Sequence, residues 1–152
     1  MLSPILWLGL VALGGLAVAS IRRIPEGQVY TLRRFGGHTR VMHSGMHLML
    51  PLIERVAHKI SLTGANVPVE GLVTANRQFR GIVYFQVLDP ERADRVIDDV
   101  HGLLQERTRS LFADAALPDT SDSRRQWLKQ SLNSDVRERG FLVTRVDLNA
   151  IG

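Results

Sequence analysis

No cysteine occurs in the chain, and that one absence excludes disulfides, thiolate nucleophiles and cysteine-ligated metal sites together. Lysine is scarce as well: the nineteen basic residues include only Lys59 and Lys129, and against fifteen acidic residues they leave a formal charge of +4. So mild an excess, scattered along the sequence, lacks the basic stripe with interleaved aromatics of a nucleic-acid binder. It suits a protein lying beside anionic headgroups. There is no Gly-x-Ser-x-Gly elbow, no glycine-rich loop of nucleotide-binding type, no internal repeat, no low-complexity segment and no heptad pattern. Nothing in the sequence calls for an enzyme or a cofactor.

Charge is also missing from the first twenty-one residues, MLSPILWLGLVALGGLAVASI, and here the absence is informative. An uninterrupted apolar run of that length predicts a transmembrane helix over residues 1–21, roughly 30 Å long, with its backbone groups satisfied internally as lipid requires. Leu6, Leu10, Leu13 and Leu16 are the expected anchor residues, with Trp7 toward an interface. Gly9, Gly14 and Gly15 would let a second helix approach closely. Arg22 and Arg23 close the run, and with no basic side chain before it they predict the body of the protein on the cytoplasmic side, at an expected bacterial inner membrane or an organelle membrane. Ala17-Val18-Ala19 has the small-residue pattern of a signal-peptidase site, but the uncharged start and the length of the run argue for an anchor over a cleaved leader.

After the anchor, residues 1–23, the pattern changes to short alternating segments broken by glycines. Residues 28–35 read as a strand, Gly36-Gly37 as a tight reversal and residues 38–42 as the returning strand. Residues 46–53 form an apolar run, and residues 54–62, 66–69 and 79–88 complete a β-rich lobe over residues 24–88. Asp89-Pro90 then starts a helix with Ala93, Val96, Ile97 and Val100 on one face. Gly102 reads as a break, a second helix follows over 103–116 with Leu104, Leu111, Phe112 and Ala115 as its stripe, and a third runs over 121–139. Gly140 closes that helix, and residues 141–148 form a last strand. A helical lobe thus occupies residues 89–152.

Several of these segments, in order, resemble one family. Ile24-Pro25-Glu26-Gly27 looks like its entry after the anchor, and Leu32-Arg33-Arg34-Phe35-Gly36 like its first strand. Gly45-Met46-His47-Leu48-Met49-Leu50-Pro51-Leu52-Ile53-Glu54-Arg55-Val56 resembles its most specific signature. The stretch from Val83 to Ala93 matches its strand-to-helix junction, and Gly140-Phe141 to Val146-Asp147 its closing strand. The chain is identified as a member of the band 7, or SPFH, group of stomatins, prohibitins, flotillins and bacterial protease modulators. The resemblance implies an α+β fold: a single transmembrane helix followed by an SPFH domain with a β-rich first lobe and a helical second lobe.

It also implies a non-catalytic scaffold that oligomerises and organises or regulates partner membrane proteins. The alternative is a dedicated accessory subunit of one membrane complex, a respiratory or AAA+ protease assembly, held by its anchor helix. Membrane lipid, a protease, a channel or a respiratory complex are the implied partners, in a homo- or hetero-oligomer. Two departures stand out. Residues 69–79 look short where the family has a longer hairpin, and the sequence stops at Gly152, where the family continues into a coiled coil.

Three side-chain groups are candidates for chemistry or binding. His38, His43 and His47 are spaced like metal ligands but lack acidic companions, so structural roles are expected. Residues 46–53 read first as a strand buried on both faces, and otherwise as a shallow insertion of Leu48, Met49, Leu50, Leu52 and Ile53 into the interfacial layer, with Arg40 and Arg55 facing headgroups. The charged side of the third helix reads as a solvated face, and otherwise as a partner face built on Arg124, Arg125, Lys129 and an exposed Trp127.

Overall fold

Ser20 ends the first helix, α1 (Pro4–Ala19): its amide donates to the Leu16 carbonyl at 3.0 Å and its hydroxyl to the same oxygen at 2.7 Å. The next residue already belongs to a strand. This is a computed structural model describing residues 4–50, 52–74, 77–114 and 117–151, in which the chain divides into two compact units, Met1–Lys59 and Ile60–Gly152. The expected 21-residue span is therefore shorter in its described part. The 16 residues of α1 extend roughly 24 Å, the first three residues of the expected span lie outside the described ones, and Ser20 and Ile21 are not helical. Among the described residues no helix is long and apolar enough to cross a membrane.

In the first unit, β1 (Ile21–Ile24) pairs antiparallel with β4 (Gly45–Leu48) as a two-stranded ribbon. A separate three-stranded sheet has the order β3 (Thr39–Met42), β2 (Gln28–Arg34), β5 (Glu54–Ser61). A small core of Ile24, Leu32 and Met42 is covered by Tyr30, Met49 and Val56. Thr31 is fully buried, and its hydroxyl oxygen accepts from the His58 amide at 3.2 Å; a buried hydroxyl without such a partner would cost about 1–3 kcal/mol.

The expected doubly buried strand over 46–53 is corrected here. Pairing ends at Leu48, and Met46, Leu48 and Leu52 are 74%, 72% and 75% exposed. A two-stranded ribbon has no further strand to cover its outer face, and the chain turns back at Ile53 and Glu54, whose amides donate to the Leu50 carbonyl at 3.0 and 2.8 Å. Pro51 lies outside the described residues.

The second unit is an antiparallel sheet of order β6 (Ala65–Thr74), β7 (Arg77–Val87), β8 (Phe141–Ile151). Helix α3 (Val100–Asp114) lies along β6 and α4 (Ser121–Val136) along β8. Leu128, Leu132 and Val136, four residues apart, are completely buried against Phe141, Val143 and Phe85 in one core. This unit departs from the expected lobes, which divided the chain at residue 88. Strands β6 and β7 form their sheet with β8, so the strands and helices from residue 60 onward share one core.

The first expected helix is a single turn, α2 (Pro90–Ala93), capped by Asp89, whose Oδ1 accepts from the Glu91 and Arg92 amides at 3.1 and 3.2 Å. Beyond it the chain tightens into three-residue turns, Val96 to Ala93 and Asp99 to Val96. Gly102 consequently sits inside α3 rather than at a break, with open space where a Cβ would stand. The expected stripe residue Ala115 and its neighbour Ala116 lie outside the described residues. Strand β6 is longer than residues 66–69 because a register shift between Val69 and Leu72, with Gly71 at φ 71°, keeps it paired with β7. Gly140, at φ 87°, has room for no side chain: a Cβ there would stand 2.4 Å from the Asp89 carbonyl oxygen.

Candidate functional site

Of the nineteen exposed large apolar side chains among the described residues, sixteen lie between residues 5 and 53. Nine belong to α1, in which no residue is buried. A helix apolar on every side has no face for water, and sixteen residues without tertiary support are marginally helical in water. The anchor positions Leu6, Trp7, Leu10, Leu13 and Leu16 are all among the exposed residues. Gly9, Gly14 and Gly15 have nothing within 4 Å of an added Cβ, so another helix could come close at each.

The ribbon continues this surface without a linker. Ile21 stands opposite Leu48, Arg22 opposite His47, Arg23 opposite Met46 and Ile24 opposite Gly45. Cross-strand partners share a face and successive residues alternate. Ile24 is buried, while Arg22 and His47 on the same face are exposed and half-buried, so this face is covered at its Ile24 end. The opposite face carries exposed Ile21, Leu48 and Met46 together with Arg23. Leu50, Leu52 and Ile53 extend the apolar surface through the turn, whereas Met49 packs on the small core. Of the five residues expected to insert, four are thus exposed and one is structural.

The residues of the third helix have different placements. Arg124 lies 4.9 Å over the Phe79 ring and donates to the Pro118 and Asp119 carbonyls at 2.9 and 3.1 Å. Arg125 pairs with Asp122 at 3.1 Å. Trp127, expected to be exposed, is half-buried against the core of its unit, because it falls beside the Leu128 and Leu132 stripe. Lys129 alone of the four is exposed. His38 and His43 are exposed, and a ring nitrogen of His47 bonds the His43 carbonyl at 2.8 Å. No three ligating side chains among the described residues are grouped to hold a metal. Elsewhere Asp147 raises the Arg145 pKa, by its hydrogen bond first and its charge second.

Two features escaped the sequence reading. Phe35 at the β2–β3 reversal is 83% exposed, more than any other large apolar residue described; an apolar residue directly before Gly-Gly was the available signal. Charge is also segregated. Residues 1–59 hold seven basic residues against two acidic ones, and residues 60–152 hold twelve against thirteen. A charge count by segment would have shown it.

Comparison with known proteins adds the following. The family model described as "SPFH domain / Band 7 family" matches residues 22–152. Human "Stomatin-like protein 2, mitochondrial" is 25% identical over 122 residues, covering 74% of this chain and 33% of its own length. An uncharacterised protein of Mycobacterium tuberculosis is 28% identical over 144 residues, 87% of this chain and 38% of its own. The chain spans about a third of the length of the curated relatives it matches.

Proposed function

The chain belongs to the SPFH domain / Band 7 family, and from that premise we propose that it is a non-catalytic, membrane-attached scaffold that oligomerises and organises or regulates partner membrane proteins. The observation that carries this reading is the exposed apolar surface of α1 and of the β1–β4 ribbon that follows it directly. Lipid burial of nine large apolar side chains, each worth about 1.5–3 kcal/mol, is favourable by well over 10 kcal/mol. Even if only the described part of the helix spans, about 6 Å short of the hydrocarbon layer, the mismatch costs a few kcal/mol. Embedding therefore wins. Arg23 on the outer face of the ribbon then lies at headgroup depth, and Leu48, Leu50, Leu52 and Ile53 enter the interfacial layer. The arginines following α1 favour the cytoplasmic side of the membrane, which for this reading is a bacterial inner membrane.

A second reading has its own observation. The open glycines of α1 suit close packing on one partner helix, as in an accessory subunit of a respiratory or protease complex. Gentle-detergent extraction followed by native mass determination separates the two. A large homo-oligomer is expected of the scaffold; a defined hetero-complex with one or two copies of this chain would overturn it in favour of the accessory subunit.

A further inference from the structure

We infer that the β2–β3 hairpin tip reads anionic lipid: Phe35 enters the bilayer interface while Arg33 and Arg34 bind phosphodiester headgroups. This rests on the membrane reading above and adds the chemistry of the ligand. Gly36 and Gly37, at φ 106° and 84°, make a reversal that L side chains rarely adopt. The tip is closed by the Gly37 amide on the Arg34 carbonyl at 3.1 Å and the Arg34 amide on the His38 carbonyl at 3.0 Å. Its shape leaves the Phe35 ring projecting.

The tip is also tied to the surface already described. The Phe35 amide donates to the Ile53 carbonyl at 3.3 Å, and the Ile53 amide to the Leu50 carbonyl at 3.0 Å. One residue earlier, the Met49 amide donates to the Ser20 carbonyl at 2.8 Å. Five consecutive residues thus connect the end of α1 to Phe35, and a membrane that takes the first is within reach of the second.

Charge selects the occupant. Between residues 27 and 69 the only acid is Glu54, which is buried, accepts from the Leu50 amide at 3.2 Å and lies 3.8 Å from Arg40. Arg33, Arg34 and Arg55 are exposed in a unit with five more basic than acidic residues. This unit's own sequence holds two carboxylates for seven basic side chains, and a layer of phosphodiesters beside an apolar wedge supplies both complements at once. An acidic protein surface would match the arginines and leave Phe35 without an apolar medium.

The test is hydrogen–deuterium exchange of the full chain in nanodiscs of phosphatidylcholine alone or with one quarter phosphatidylglycerol. Amides 33–37 are expected to be protected more strongly in the anionic discs, and 0.5 M salt should remove the difference. R33Q/R34Q should abolish the difference and lower the preference for anionic discs roughly 30-fold, while F35S should lose tip protection in both discs and stay attached through α1. Equal protection of residues 33–37 in both compositions, or a difference that survives R33Q/R34Q, would overturn the inference alone. A chain that enters neither kind of disc would overturn the membrane reading itself. Protection of the tip only when an acidic protein co-purifies would assign it to that protein instead of lipid.

Discussion

The amide of Met49 donates to the carbonyl of Ser20 at 2.8 Å, across twenty-eight residues of sequence, and this bond fixes an apolar turn at the mouth of an apolar helix. It continues the β1–β4 ladder, whose last pair is Ile21 with Leu48. The exit of α1 is therefore one end of a ribbon, not a tether. Whatever medium holds α1 must also accommodate the outer face of that ribbon.

Leu48→Asp and Leu52→Asp are expected to lower membrane retention of the chain without changing its circular dichroism, since both side chains are exposed. Leu132→Asp, at a fully buried position, should unfold the second unit. Retention and ellipticity measured on the three variants check this, and unfolding by L48D or L52D would return the segment to a core role.

Gly140→Ala should destabilise the second unit by about 3 kcal/mol or more. A non-glycine residue in left-handed backbone costs about 1–2 kcal/mol, and the added Cβ would meet the Asp89 carbonyl at 2.4 Å, where only a backbone shift gives relief. Denaturant titration reads the loss; a change under about 1 kcal/mol would mean the junction yields more easily than its packing implies.

Asn133 holds the open edge of β8 by both ends of its amide, Nδ2 donating to the Val143 carbonyl at 3.0 Å and Oδ1 accepting from the Val143 amide at 2.8 Å. Asn133→Ala should cost about 1–3 kcal/mol. Asn133→Asp keeps the acceptor and loses the donor, so an intermediate cost is expected in the same titration.

Arg124→Ala removes two carbonyl hydrogen bonds and a stack on Phe79, and should destabilise by about 1–2 kcal/mol. Lys129→Glu, on an exposed side chain, should leave stability within about 0.5 kcal/mol. If K129E nevertheless weakens oligomers in native mass measurements, α4 is a partner face through that lysine.

Period and turn chemistry made most of the fold legible. The leucines of α4, the Asp89-Pro90 start, the Gly36-Gly37 reversal and the closing strand all carry local signals strong enough to survive folding. Sequence failed where partners decide. Residues 46–53 have the composition of a buried strand, yet among the described residues β4 pairs only with β1 and nothing covers its outer face. Ala93, Val96, Ile97 and Val100 keep helical spacing, but all four reach the core from one short helix, a run of turns and the start of α3. The expected strand over 66–69 stops short of β6 because the pairing continues past a bulge at Gly71, which strand periodicity does not carry. The first unit's charge was legible from the beginning, and a whole-chain total concealed it.

The most direct measurement uses Trp7, one of two tryptophans, on α1. The full chain and its W7F variant are reconstituted in vesicles containing dibrominated phosphatidylcholine, and the difference between their emissions isolates Trp7 without disturbing Trp127. Embedding of α1 predicts a blue-shifted difference spectrum quenched by bromolipid and sheltered from aqueous iodide. A red-shifted emission quenched by iodide and indifferent to bromolipid would contradict membrane attachment through this helix.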